Sequence, residues 1–290
     1  MKKLWISIFI ITGLSAFSGT FNALNYDPRS LSIGGADVAF PGIGGAIISN
    51  PANAGYFKGK EFTGMFGKYQ DFPIYNGLLN YVVEDNGVAA GGLYWEYTGY
   101  KLYHDDFNWS ENLIGYSLGK KFGWHLSLGL GIKLLFVNSD FEGGKAFGGA
   151  IDVGATGDML NTLFWGISVH NLYSRLKWDT GRKEKLPLEY SFGLGILQLW
   201  DRLSLSFQIN GANGLESAGG GIEMWIVKNW FALRVGLIDK IVVPSREIPT
   251  AGFTISIPSG KNVLSLNYAA IYDEEILGFV QRLSLNVYRY

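Results

Sequence analysis

Few residues of this chain have the types and spacings that could perform chemistry. The three histidines, His104, His125 and His170, fall in separate stretches without metal-ligand spacing. The 290 residues include no cysteine, which excludes thiolate metal sites, disulfides and a thiol nucleophile. The pairs Gly129/Gly131 and Gly193/Gly195 sit inside alternating apolar stretches rather than between a strand and a helix, so they do not read as phosphate cradles. Glycine inside a strand marks bending or the close approach of another backbone. No Ser-His-Asp order or nucleophile elbow is present, and neither an enzyme nor a cofactor is expected. The charged residues are more informative. Glu96, Asp152 and Glu223 share an inward phase with Lys133, Arg234 and Arg282. Three acids against three bases predict pairing across an interior. They would line a polar solute path or, as the many glycines on that face favour, surround a filled centre. The clusters Asp105-Asp106, Arg182-Lys183-Glu184-Lys185 and Asp273-Glu274-Glu275 read as solvated tips.

Those charges share a face only if the chain alternates with period two, the period of a strand. It does so from about Glu61 to the end. Leu203, Leu205, Phe207 and Ile209 are interleaved with Ser204, Ser206, Gln208 and Asn210. Leu126, Leu128, Leu130 and Ile132 alternate with Ser127, Gly129, Gly131 and Lys133, and Leu283, Leu285 and Val287 alternate with Arg282, Ser284 and Asn286. Breaking the chain at its turn signals gives about 14 strands, near 61–69, 74–83, 87–98, 109–120, 124–138, 145–157, 162–172, 187–198, 202–210, 216–227, 230–239, 248–257, 262–272 and 277–290. The first two alternate least cleanly. Each has about the ~10 residues that a tilted strand needs to cross a bilayer.

The predicted fold is all-β: a transmembrane antiparallel barrel of about 14 strands. Only 17% of the chain is charged and 40 residues are glycine, against averages of roughly 25% charged and about 7% glycine. A net charge of −1 leaves no footprint for nucleic acid. A soluble sandwich would carry Lys, Glu and Thr on its polar face, whereas this one is mostly Gly, Ser and Asn. Trp95, Tyr97, Trp109, Trp124, Trp200, Trp225, Trp230, Tyr288 and Tyr290 lie toward the expected strand ends, as in the aromatic girdles of bilayer interfaces. Short connections, such as 84–86 and 228–229, alternate with long ones, 99–109, 173–187 and 240–247, as periplasmic and outer connections do. Tyr290 is out of phase with Leu285 and Val287, and a terminal bulge would restore it.

Lys2 and Lys3 precede an apolar run to about Phe17 with small residues after it, the order of a secretory signal over residues 1–18. Residues 19–60 do not alternate. Small and apolar residues dominate, with Pro41 and Pro51 as breakers. Irregular backbone cannot face hydrocarbon with its polar groups unpaired. A hatch or plug inside the lumen of the barrel, residues 61–290, is the reading that physics allows.

This segment also resembles a known family. Arg29, Ser30, Leu31, Gly34, Gly35 and Ala36, followed by Asn50, Pro51 and Ala52, are similar to the N-terminal motif of FadL/PorV-like outer-membrane proteins. The resemblance implies a bacterial outer-membrane, multi-pass location and a 14-stranded barrel with an N-terminal hatch. One branch of the family passes fatty acids or aromatic hydrocarbons, and another receives the signal domains of secreted proteins. The chain lacks the long outer insertions of the fatty-acid branch, which points to the smaller PorV- and PorQ-like members. The expected function is passage or hand-over of hydrophobic or secreted cargo through a hatch-gated lumen or lateral opening. The alternative is a non-transporting secretion subunit or surface scaffold that binds proteins through its outer loops. Expected partners are outer-membrane lipid, with hydrophobic small molecules or secreted-protein signal domains as cargo. The hatch residues are Arg29, Gly34, Gly35, Asn50, Pro51 and Ala52.

Overall fold

The computed structural model describes residues 21, 27–70, 72–102, 107–123, 125–160, 162–212, 214–241, 245–273 and 278–290. The expected signal over 1–18, His104, Trp124, Asp105-Asp106 and Glu274-Glu275 lie outside the described residues.

From residue 60 onward the period-two stretches become strands: β1 (Lys60–Tyr69), β2 (Ile74–Val83), β3 (Ala90–Leu102), β4 (Phe107–Phe122), β5 (Leu126–Ser139), β6 (Ala146–Asp158) and β7 (Leu163–Trp178). A two-residue β8 (Lys183–Glu184) follows, then β9 (Glu189–Leu199), β10 (Leu203–Gly211), β11 (Leu215–Val227), β12 (Phe231–Lys240), β13 (Arg246–Ser259), β14 (Asn262–Asp273) and β15 (Gly278–Arg289). Apart from β8, which pairs only with β7, each strand is antiparallel to its neighbours around one ring. The ring closes where Lys60 to Tyr69 of β1 meet Arg289 to Val280 of β15. Closure leaves no edge whose N–H and C=O groups would stand unpaired in hydrocarbon. All fourteen expected strands are present, including the two with the weakest alternation.

The outer face is continuously apolar. Leu128, Leu130, Ile132 and Leu134 of β5 are all exposed, while Ser127, Lys133, Leu135 and Val137 on the opposite face are buried. Leu283, Leu285 and Val287 repeat the pattern on β15. Apolar surface on this scale far exceeds the patches of soluble monomers.

Three expectations are corrected. The long connections 99–109 and 173–187 are mostly strand, because β3 and β4 remain paired to Leu102↔Phe107 and β7 runs on to Trp178. Alternation marks only the part of a strand whose one face must be greasy; the ladder continues beyond that band. The aromatic set is also divided. Trp200 and Trp230 are exposed, but Trp109 packs inward on Trp178, and Tyr288 turns to Phe57. Finally, β15 pairs on both sides without a register shift, so no bulge rephases Tyr290, which follows the strand.

The chain before β1 forms short helical pieces, α1 (Pro28–Ser32), α2 (Ala46–Ser49) and a 3-10 turn (Pro51–Tyr56). Asp27 caps α1, its carboxylate accepting from the Arg29 N–H at 2.6 Å and the Ser30 N–H at 3.1 Å, with Pro28 in the first position. Gly34 and Gly35 follow with φ of +71° and +68°, a left-handed stop that glycine supplies without strain. Asn50 caps the 3-10 turn through Ala52 N–H at 3.0 Å, and Pro51 opens it. This is the local work of Asn50-Pro51-Ala52.

Candidate functional site: the lumen

The segment from Asp27 to Phe57 is buried almost throughout, with Leu31, Ala46, Ala52 and Ala54 fully inaccessible. It touches walls on opposite sides of the ring: α1 lies on β12, β13 and β14, and the 3-10 turn lies on β4, β5 and β6. Glycines make room for it. A methyl group at Gly129 would overlap the Ala52 backbone, one at Gly154 the Asn50 side chain, one at Gly166 the Val38 backbone, and one at Gly221 the Ile33 backbone. Of the glycine pairs noted in the sequence, Gly129 and Gly195 mark close approach of the segment's backbone, at Ala52 and Ala39.

Polar groups on the wall satisfy the segment's backbone. The Asn50 amide donates to Val38 O at 2.9 Å and to Thr156 Oγ1 at 2.9 Å, and Thr156 in turn donates to Asn53 Oδ1 at 2.8 Å. Gln208 accepts from Val38 N–H at 2.9 Å, Ser127 donates to Ala52 O at 2.7 Å, and Asn80 donates to Gly44 O at 2.9 Å. Irregular backbone inside a barrel needs this, since each buried unpaired group costs about 1–3 kcal/mol.

All six expected interior charges point inward and are buried. Four of them pair between adjacent strands rather than across the lumen. Glu223 and Arg234 face each other on adjacent strands at 2.8 Å, and Arg29 of the segment grips the same carboxylate at 2.6 and 2.7 Å. On β5 and β6, Lys133 meets Asp152 at 2.8 Å, and His170 approaches the other oxygen at 3.0 Å. Neighbouring strands place side chains a few ångströms apart, whereas the lumen between is occupied by the segment. Glu96 and Arg282 lie on the same inner wall. Arg29, Gly34, Gly35, Asn50, Pro51 and Ala52 all lie at segment–wall contacts or turns.

Several residues escaped the sequence reading. His170 joins Asp152 because Asn171 follows it at φ +58° and shifts the β6–β7 register between Ile151 and Val153. The break in alternation at His170-Asn171 was the available signal. Asp37, 1% exposed, accepts at Oδ2 from the hydroxyls of Ser30 and of Ser49, the latter at 2.8 Å. Burial pushes Asp37 up to about 7 against the pull of those hydroxyls. Nothing in the sequence distinguished it from a surface aspartate. Among the described residues, no group of three or more His, Asp or Glu is placed to hold a metal ion.

The inner wall is not uniformly polar. Met65, Leu78, Tyr94, Leu113, Leu135, Leu176 and Leu186 form a buried apolar cluster toward the rim opposite the barrel termini. Beside it a cavity of about 250 Å³ remains above the segment. Ile48, Tyr94, Leu113, Leu135 and Leu186 line its apolar side, and Asp37, Glu96, Lys133, Asp152, His170 and Glu189 its polar side. Beside the cavity the backbone ladder along β7 has a gap, resuming with β8 at Leu176↔Glu184 and Lys177↔Lys183. β7 pairs with β9 only from Leu163↔Ile196 to His170↔Glu189. Beyond that point, side chains hold residues 186 and 187 against β7. Asn171 donates to Pro187 O at 3.0 Å, and Ser174 accepts from Leu186 N–H at 2.9 Å.

A closed ring of fourteen antiparallel strands with an apolar outer face defines the class: an outer-membrane-type β-barrel fold. No protein-family model and no curated protein sequence matches the chain. Among solved structures it is similar to the CymD monoaromatic hydrocarbon channel, with a TM-score of 0.70 at 11% identity over 93% of this chain and 99% of that one. It is also similar to the Ralstonia pickettii toluene transporter TbuX, with a TM-score of 0.64 at 12% identity over 93% and 100%. A Pseudomonas aeruginosa FadL homologue gives 0.64 at 13% identity over 93% and 99%.

Proposed function

We propose that this chain is a bacterial outer-membrane channel for small hydrophobic molecules, exported by a signal at residues 1–18. Residues 19–60 act as its hatch and residues 61–290 as its wall. The observation that carries the reading is the partly apolar cavity set against a wall seam where β7 leaves β9. A molecule entering from the outer rim would rest on Ile48, Leu113, Leu135 and Leu186. It would leave through the seam at 186 and 187, or past the hatch once the bonds of Asn50 and Asn53 give way. No covalent step is involved. The proteins it resembles, described as a monoaromatic hydrocarbon channel and a toluene transporter, support a cargo of this kind.

The test is uptake of labelled toluene by Gram-negative cells whose own hydrocarbon channels are deleted. Expression of the chain should raise uptake above the empty vector. Leu186→Trp, which puts an indole into the cavity, should return it to the vector level while the barrel still assembles. Uptake that never exceeds the vector, or that is indifferent to the tryptophan, contradicts the proposal.

A further inference from the structure

We infer that the lumen cavity selects a small amphiphile with an apolar body and a protonated amine, and rejects the matching carboxylate. This rests on the channel reading above and names the chemistry of its cargo. The cavity, about 250 Å³, is smaller than the roughly 300–1,000 Å³ of sites for drug-sized ligands, which suits a body of a single ring. One side offers that body Ile48, Leu113, Leu135 and Leu186.

The other side is electrostatically one-sided. Its two bases are already engaged. Lys133 donates to Asp152 at 2.8 Å and to Asn171 Oδ1 at 2.9 Å, and His170 spans Asp152 at 3.0 Å and Ser49 O at 2.8 Å. Asp152 alone takes up both bases. Of the other carboxylates at the cavity, Asp37, Glu189 and Glu216 therefore set its sign. Glu189 and Glu216 make no ion pair among the described residues. A second observation is independent of the charge count. Asp37 lines the cavity and is almost fully buried, its Oδ2 is spent on Ser30 and Ser49, and its Oδ1 has no hydrogen-bond partner. An unpartnered buried carboxylate oxygen asks for a donor. An ammonium brings donors and the opposite charge, into walls where charge-assisted hydrogen bonds are stronger than in water. A carboxylate would meet like charge on every open side, and to reach Lys133 it would have to displace Asp152.

The experiment uses the full chain in detergent and three probes with one body: 2-phenylethylamine, ethylbenzene and 3-phenylpropionate, each titrated by calorimetry near neutral pH. The amine should bind about tenfold more tightly than ethylbenzene, as one charge-assisted contact would give, and the acid should not bind. Glu189→Gln with Glu216→Gln should lower the amine's advantage several-fold. Equal binding of amine and ethylbenzene overturns this inference and leaves the channel reading standing. Tighter binding of the acid, or an advantage untouched by the double variant, overturns it as well. Binding of none of the three defeats the inference and the channel reading together.

Discussion

Glu223 holds two guanidinium groups at once, Arg29 from the N-terminal segment and Arg234 from the neighbouring strand, with Arg234 and Glu223 themselves buried. Neutralising it leaves two cations facing each other without the carboxylate that both bond. Glu223→Gln should therefore destabilise the folded barrel by about 3–5 kcal/mol, the range for breaking one side of a buried pair. The check is the urea midpoint for loss of the compact, heat-modifiable form on gels; an unchanged midpoint would refute the role. Asp37 gives a pH dependence of opposite sign to that of an ordinary paired carboxylate. Burial raises it to about 7, so its protonated form favours the packed segment. That contribution is whole below the ordinary carboxylate range and is lost as pH rises through about 7. Tryptic cleavage at Arg29 should accelerate between pH 6 and 8, and Asp37→Asn should flatten the rise. At this scale, phase alone revealed Glu223, Arg234, Lys133 and Asp152, because a charge in register with glycine and serine must face inward. Phase could not reveal Asp37 or Gln208, whose roles depend on a non-periodic segment folding back on the wall.

The elements divide between what period two encodes and what it does not. It encodes the lipid-facing band of each strand, and so all fourteen ring strands were legible. It does not encode strand above the band, so β7 beyond Asn171 and the two residues of β8 were not. Nor does it encode the inner apolar cluster, where both faces of a strand are greasy. The close contact between wall and segment has a direct test in two glycines. Gly129 lies against the Ala52 backbone, whereas a methyl at Gly64 would meet only a Leu79 methyl at 3.7 Å. Gly129→Val should push the 3-10 turn off the wall and expose Arg29 to trypsin. Gly64→Ala should stay within about 0.5 kcal/mol of the parent, as substitutions in open surroundings do. Equal protease resistance of the two variants would separate the glycine wall from the segment's position.

For the whole molecule, closure of β1 on β15 makes a cylinder, and a buried segment passes inside it from β12–β14 to β4–β6. The barrel was readable before the structure, from alternation, and the failure of alternation over residues 19–60 marked a stretch outside the wall. Where the β7–β9 ladder stops was not readable, because beyond His170↔Glu189 side-chain bonds to residues 186 and 187 take over, and no run of residues marks that change. The central claim is that the segment plugs the bore, and single-channel recording in planar bilayers measures it directly. The full chain should give almost no ohmic current, and a variant lacking Gly34 to Ala54 should insert and conduct in discrete steps. Full-size steps from the intact chain, or a correctly inserted deletion as silent as its parent, would show that the bore is not closed by this segment.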